Sequence, residues 1–133
     1  MKKFAFTTLR NLLAIHAFIS LAAGVVLIAL PAYIPKSVGI SLPPGAYLLS
    51  YFLGAAEIAL AFLSYYSRNV TDVKNLRLIC LTLIVFHATT AAVEVYAFSQ
   101  GTSANIWINI AVRLAVVFLF WYYGLRKRHV ITR

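Results

Sequence analysis

Six polar side chains stand inside stretches otherwise built of Leu, Ile, Val, Phe and Ala: His16, Glu57, His87, Glu94, Asn109 and Arg113. The run LIVFHATTAAVEVYAF, residues 83–98, shows the pattern most plainly, with an imidazole and a carboxylate in a segment suited to lipid. Only three residues of the chain are acidic, and two of them lie in such runs. Carboxylates and imidazoles take up and release protons, and a forked guanidinium pairs well with either carboxylate. A charge at mid-bilayer costs about 2.5–3.5 kcal/mol, which makes such residues candidates for a ligand or proton site. The plainer alternative is structural: Arg113 and one glutamate make a neutral pair that fixes helix register. The second carboxylate then lacks an evident permanent partner. It either holds a proton or pairs with a histidine, and in both states it can titrate.

Other chemistries have less support. Two Glu and two His are a conceivable metal set, but the Glu-x-x-His pairing of di-iron bundles is absent, so no metal site is expected. For His16 alone, a hydrogen bond to a neighbouring helix is a better reading than a ligand role. No phosphate-cradling glycine loop, G-x-S-x-G elbow or H-E-x-x-H motif is present, and no catalytic residue is assigned. The single cysteine, Cys80, lies in an apolar run. That rules out a disulfide framework, a CxxC pair and a cysteine zinc site, and leaves a small hydrophobe. Ser20, Ser50 and Ser64 read as packing residues on small faces.

The elements that must position these groups are membrane spans. Of 133 residues, 62% are hydrophobic and 11% charged, against about a quarter charged in ordinary soluble domains. Four apolar runs, Leu9–Leu30, Tyr47–Tyr66, Leu76–Phe98 and Ile106–Tyr123, each approach the roughly 20 residues that cross a bilayer as a helix. The expected fold is all-α: a four-transmembrane-helix bundle forming one integral membrane domain over residues 1–133. Pro- and Gly-rich or polar stretches separate the runs: PAYIPKSVGISLPPG, SRNVTDVKN and SQGTSA. The first run is too long for a signal peptide core and already holds Arg10, Asn11 and His16, so it reads as a retained helix.

Charge sets the expected orientation. Lys2, Lys3 and Arg10 lie before or at the start of the first span, Arg68, Lys74 and Arg77 surround the second connection, and Arg126, Lys127, Arg128 and Arg133 follow the fourth span. The opposite loops hold only Lys36. Both termini are therefore expected in the cytoplasm, in the cell's inner membrane. The net charge of +9 is accounted for by topology, with anionic headgroups as a secondary contact, and nucleic acid is not an expected partner.

Helical spacing collects the polar residues. In the second span Ser50, Gly54, Glu57, Ala61, Ser64 and Arg68 follow at intervals of 4, 3, 4, 3 and 4, one face of a helix. The third span offers Cys80, Leu83, His87, Thr90, Glu94 and Ala97 in the same way. The first offers His16, Ser20 and Ala23, and the fourth Asn105, Asn109 and Arg113, with Asn105 expected to cap that helix. At 1.5 Å per residue, His16, Glu57, His87 and Arg113 lie about 10, 13, 16 and 15 Å from the cytoplasmic ends of their spans, and Glu94 about 27 Å. The first four are expected to share a layer, with Asn109 and Glu94 above it.

The stretches AAGVVLIALPAYI, LLSYFLGAAEIALAFLSYYSRN and NIAVRLAVVFLFWYYG resemble the broad group of small DoxX-like bacterial membrane proteins. A glycine precedes a Leu-Pro exit in the first span, a Gly-Ala-x-Glu segment lies in the second, and a basic residue follows it. The resemblance implies a four-helix fold and, for some members, partnership with quinone-linked or thiol-linked membrane oxidoreductases. It carries no catalytic set across to this chain.

The expected function is that of a small polytopic, non-enzymatic membrane protein. Its buried Glu/His/Arg cluster organises the bundle and binds an apolar ligand or a membrane oxidoreductase partner. The alternative is an oligomeric proton-coupled transporter of a small, cationic substrate working through Glu57. A redox or lipid-modifying enzyme using His16 and His87 ranks last. No cofactor motif is present, and a quinone or a lipid is the kind of molecule such a cluster would accept. The expected partners are the lipid bilayer, an apolar small molecule, and a second copy or an oxidoreductase subunit.

Overall fold

The computed structural model describes residues 2–126, with side chains from Thr7 onward. Lys127, Arg128 and Arg133, and the side chains of Lys2 and Lys3, lie outside the described residues. The apolar runs form four long helices: α1 (Lys2–Ala29), α3 (Tyr47–Ser67), α4 (Val73–Ser99) and α5 (Ile106–Phe120), with a short α2 (Tyr33–Ser37) in the first connection. A 3-10 turn, Pro44–Ala46, leads into α3, and α5 ends in a π-helical turn, Trp121–Arg126. All regular elements among the described residues are helical, and four are long and apolar enough to cross a membrane.

Local chemistry explains where the boundaries depart from the expected spans. Nothing between Lys2 and Leu9 breaks a helix, so α1 starts about two turns earlier. Asp72 sets the start of α4 at Val73 rather than Leu76, because its Oδ1 accepts the Asn75 N–H at 2.8 Å. In the Pro-rich connection, α2 stops at Gly39, whose φ of 81° is a left-handed conformation that glycine adopts without strain. Asn105 occupies the capping position of α5 but makes no capping bond; its Nδ2 instead donates to the Ser37 carbonyl at 3.5 Å.

The outer surface is apolar on every long helix. Phe18 on α1, Phe52 on α3, Leu78 on α4 and Ile108 on α5 are 74%, 65%, 66% and 69% exposed. Water-soluble monomers do not present apolar surface continuously around their girth. Lipid is the solvent that such a surface suits, and this is the exterior of a multi-pass membrane protein.

Inside, the helices pack as two close pairs. Gly24 of α1 and Gly54 of α3 bring two backbones together: a Cβ on Gly24 would lie 2.8 Å from the Gly54 carbonyl oxygen. In the other pair α5 packs on α4, and Gly124 in the π turn abuts Cys80, where a Cβ would meet the sulfur at 2.5 Å. Between the pairs, α1 and α5 are not closely packed against one another. One end of the bundle is closed by a fully dry cluster of Leu9, Leu13, Leu76, Cys80, Leu83 and Phe120. Arg10, Arg68, Lys74 and Arg77 belong to this end, where Arg10 donates to Asn69 Oδ1 at 3.2 Å. The opposite end holds α2 and a small cluster of Val38, Ile106 and Ile110.

Candidate functional site

The buried face of α3 carries Ser50, Gly54, Glu57, Ala61, Ser64 and Ser67. The expected stripe is present up to Ser64, but the last position differs. Ser67 is buried and donates to the Leu63 carbonyl. Arg68 turns outward, with its Nε donating to the Tyr65 carbonyl and its guanidinium 4.0 Å from the Tyr65 ring centroid. A cation at the helix end gains more from an aromatic face and a carbonyl than from a dry seam. On α4 the buried set is Leu76, Cys80, Leu83, His87 and Ala91. Thr90 and Glu94 lie at its margin, and the Thr90 hydroxyl donates back to the Phe86 carbonyl at 2.7 Å. On α1, His16 and Ser20 are buried.

These faces meet in a chain of hydrogen bonds that links three helices. Ser64 Oγ is 2.8 Å from His16 Nδ1, and His16 Nε2 is 2.8 Å from His87 Nε2. Each contact needs one donor and one acceptor, so the chain has two forms. In one, Ser64 donates to His16 and His16 donates to His87. In the other, His87 donates to His16 and His16 donates to Ser64. His87 Nδ1 is buried and has no hydrogen-bond partner among the described residues; it is a donor in the first form and an acceptor in the second. Phe120 supports the chain from below, its ring edge-on to His16 at 5.4 Å between centroids. Sequence reading assigned His16 a bond to a neighbouring helix, and that is what it makes. The shared layer expected for His16 and His87 does not by itself pair them, and Ser64 reads in the sequence as a packing residue, so neither partner is evident there.

Arg113 settles on Glu94. Its Nε donates to Glu94 Oε1 at 2.9 Å, while Glu94 Oε2 is buried without a hydrogen-bond partner among the described residues. Glu57 is 6% exposed and borders the same space as Ser20 and Arg113 without an ion pair among the described residues. The Glu94 pair is the only salt bridge among the described residues.

A cavity of about 320 Å³ joins these groups. It lies between the helix pairs and is bordered by His16, Ser20, Glu57, His87, Asn109 and Arg113. Five of the six sequence candidates thus line one space, and the sixth, Glu94, is tied to it through Arg113. Apolar walls make up most of the rest: Leu12, Ile15 and Ile19 from α1, Leu53 from α3, and Val112 and Val116 from α5. Phe120 forms its floor, and Ile34 of α2 lies at the opposite end. A larger depression of about 470 Å³ runs along the outside of the α1–α3 pair, between Phe18 and Phe62. It faces the lipid and has Arg68 as its one charged border, so its size reflects surface shape rather than a built site.

The arrangement can hold a molecule with a long apolar part and a polar end, and it can shift a proton along Ser64–His16–His87. Sequence reading missed Phe120, an apolar residue with no motif to mark it. No cluster of three or more His, Cys, Asp or Glu side chains able to hold a metal occurs among the described residues. Comparison of the chain with known protein families, curated proteins and solved structures finds no match, so the chemistry of this cavity is what a functional reading has to rest on.

Proposed function

We propose that the protein is a non-enzymatic membrane binding protein that holds an apolar amphiphile, such as a lipid or a quinone, between its two helix pairs. One observation carries this reading: buried polar groups from α1, α3 and α4, with half-buried Asn109 and Arg113 of α5, converge on a cavity whose walls are otherwise apolar, and His87 Nδ1 beside it has no hydrogen-bond partner among the described residues. Ligand sites have this composition, mostly apolar with a few placed polar groups. A purely structural cluster would be expected to satisfy its own atoms.

The proposal includes an inner-membrane location with both termini in the cytoplasm, supported by the basic residues at one end of the bundle. It also includes membership of the DoxX-like group and a membrane oxidoreductase as partner, supported by the quoted stretches of sequence. A second reading is an oligomeric proton-coupled transporter working through Glu57. It is favoured by the loose packing between two tight helix pairs, which would let one pair rock against the other.

Native mass spectrometry of protein purified in a mild detergent tests the main reading. Wild type should carry a lipid-sized adduct, and Ala23→Phe, which fills the cavity from α1, should lose it while remaining folded. Protein that is empty in several mild detergents would refute the proposal.

A further inference from the structure

The polar groups around the cavity do not balance in charge. Two carboxylates, Glu57 and Glu94, face one guanidinium, Arg113, and that guanidinium bonds Glu94. The two histidines that reach the site bond each other and Ser64, so neither bonds Glu57. Glu57 itself makes no ion pair among the described residues. An ionised carboxylate in dry surroundings is held at high free energy until a positive charge joins it. That charge can be a proton or a cation small enough to share the cavity.

Access adds a second constraint. The dry cluster under Phe120 closes the end of the bundle that bears the arginines, so no path leads to the site from there. At the side, the cavity is bordered by Ile15 and Ile19 of α1 and by Val112 of α5, which are 59%, 58% and 56% exposed. These residues face both the cavity and the exterior, in the gap where α1 and α5 do not pack closely. A ligand that enters here comes from the hydrocarbon of the bilayer and has to be lipophilic.

Taking charge and access together, we infer that the site selects a lipophilic monocation, an amphiphile with an ammonium head. It passes between α1 and α5, sets its head against Glu57, and leaves its chain along Ile15, Ile19 and Val112. An anionic head would place a third negative group beside one guanidinium, and the site discriminates against it. A neutral head gains hydrogen bonds but leaves Glu57 dependent on a proton. This inference rests on the proposal that the cavity holds an amphiphile and adds the charge of the head and the route of access.

Three probes with one chain length separate the cases: dodecyltrimethylammonium, dodecanol and dodecanoate. Their adducts are measured by native mass spectrometry on the full chain in neutral maltoside micelles. Adducts that persist in Val112→Trp, which plugs the side opening, lie outside the cavity and are subtracted. The ammonium should bind at least tenfold more tightly than the alcohol, and dodecanoate should give no cavity adduct. Glu57→Gln should bring ammonium and alcohol to within threefold of one another while keeping the alcohol adduct, which also shows that the variant is folded. Glu57→Asp, which retains the charge, should retain the preference. Equal binding of alcohol and ammonium by wild type, binding of dodecanoate in the cavity, or an ammonium preference that survives Glu57→Gln would overturn the inference and leave the amphiphile cavity standing. Absence of cavity adducts for all three probes would overturn both.

Discussion

Replacing Gly54 with alanine sets two effects of opposite sign against each other at the α1–α3 seam. Alanine is the better helix former by about 0.8–1.0 kcal/mol, which favours the variant. Against this, the added Cβ would lie 2.9 Å from the Gly24 carbonyl oxygen, 2.9 Å from Ile28 Cγ1 and 3.1 Å from Leu27 Cβ. Ordinary contact between such atoms begins at about 3.5 Å. Ile28 can rotate away, but the Gly24 oxygen belongs to the α1 backbone, so the helices have to separate. Overpacking of this kind costs about 1–3 kcal/mol, and a backbone target places it in the upper part of that range. The net expectation is a loss of about 1–2 kcal/mol, a factor of 5–30 in the folding equilibrium. Reversible unfolding in mixed micelles, titrated with a denaturing detergent, measures it. Gly45→Ala is the control, because a Cβ there meets nothing within 4 Å. Gly24→Ala strikes the Gly54 oxygen across the same seam at 2.8 Å. The double variant should therefore lose less than the sum of the singles by more than about 0.5 kcal/mol. Gly54→Ala as stable as wild type, or full additivity with Gly24→Ala, would show that the two backbones do not meet as described.

The same unfolding assay checks the polar contacts. Arg113→Leu should cost about 2 kcal/mol, below the 3–5 typical of a fully buried pair, because only Oε1 of Glu94 is engaged and the pair lies near the end of α4; adding Glu94→Leu should recover most of the loss. His87→Leu should cost about 1–3 kcal/mol by stranding His16 Nε2, and the double variant with His16→Phe should cost clearly less than the two single losses combined. Asp72→Ala should cost about 1 kcal/mol through loss of the bond to Asn75 N–H, and Asp72→Asn should restore most of it.

How far the sequence discloses this site depends on which geometric question is asked. A 4-3 spacing of small and polar residues identifies the inward face of α3 from Ser50 to Ser64, because the helix fixes angle as a function of residue number. The same reasoning puts His16, Glu57, His87 and Arg113 in one layer with Asn109 and Glu94 above it, and the structure lines one cavity with all of these except Glu94. It fails at the helix end, where Ser67 rather than Arg68 completes the face: local cation–aromatic and carbonyl contacts outweigh periodicity there. It also leaves open which carboxylate Arg113 takes. Glu57 and Glu94 were both within reach, and the choice depends on the relative rotation and axial stagger of α3, α4 and α5, quantities that no single span contains. The Ser64–His16–His87 chain is hidden for the same reason, since a shared layer does not say which side chains within it meet. Asn105 illustrates a third limit. Its residue type suits a cap, but the Ser37 carbonyl from the first connection competes for its amide.

The cavity itself follows from where the glycines are. Gly24 and Gly54 draw α1 onto α3, and Gly124, aided by the wider π turn, draws the end of α5 onto Cys80 of α4. Four helices cannot all be in closest contact when two pairs are pulled together, so the separation appears between the pairs, along α1 and α5. Polar residues placed there are sheltered from lipid on most sides and yet remain only partly satisfied by one another. Below them, Phe120 and the leucines form a dry cluster among the described residues, which closes the cavity at that end. A pore is therefore incompatible with this packing, and any transport through Glu57 would require the Phe120 cluster to open. Carriers differ from binding proteins in that second opening: if a cavity ligand crosses the membrane, it does so by separating Leu13, Leu83 and Phe120, and enlarging Leu83 to Phe should block passage while leaving binding at Glu57 unchanged.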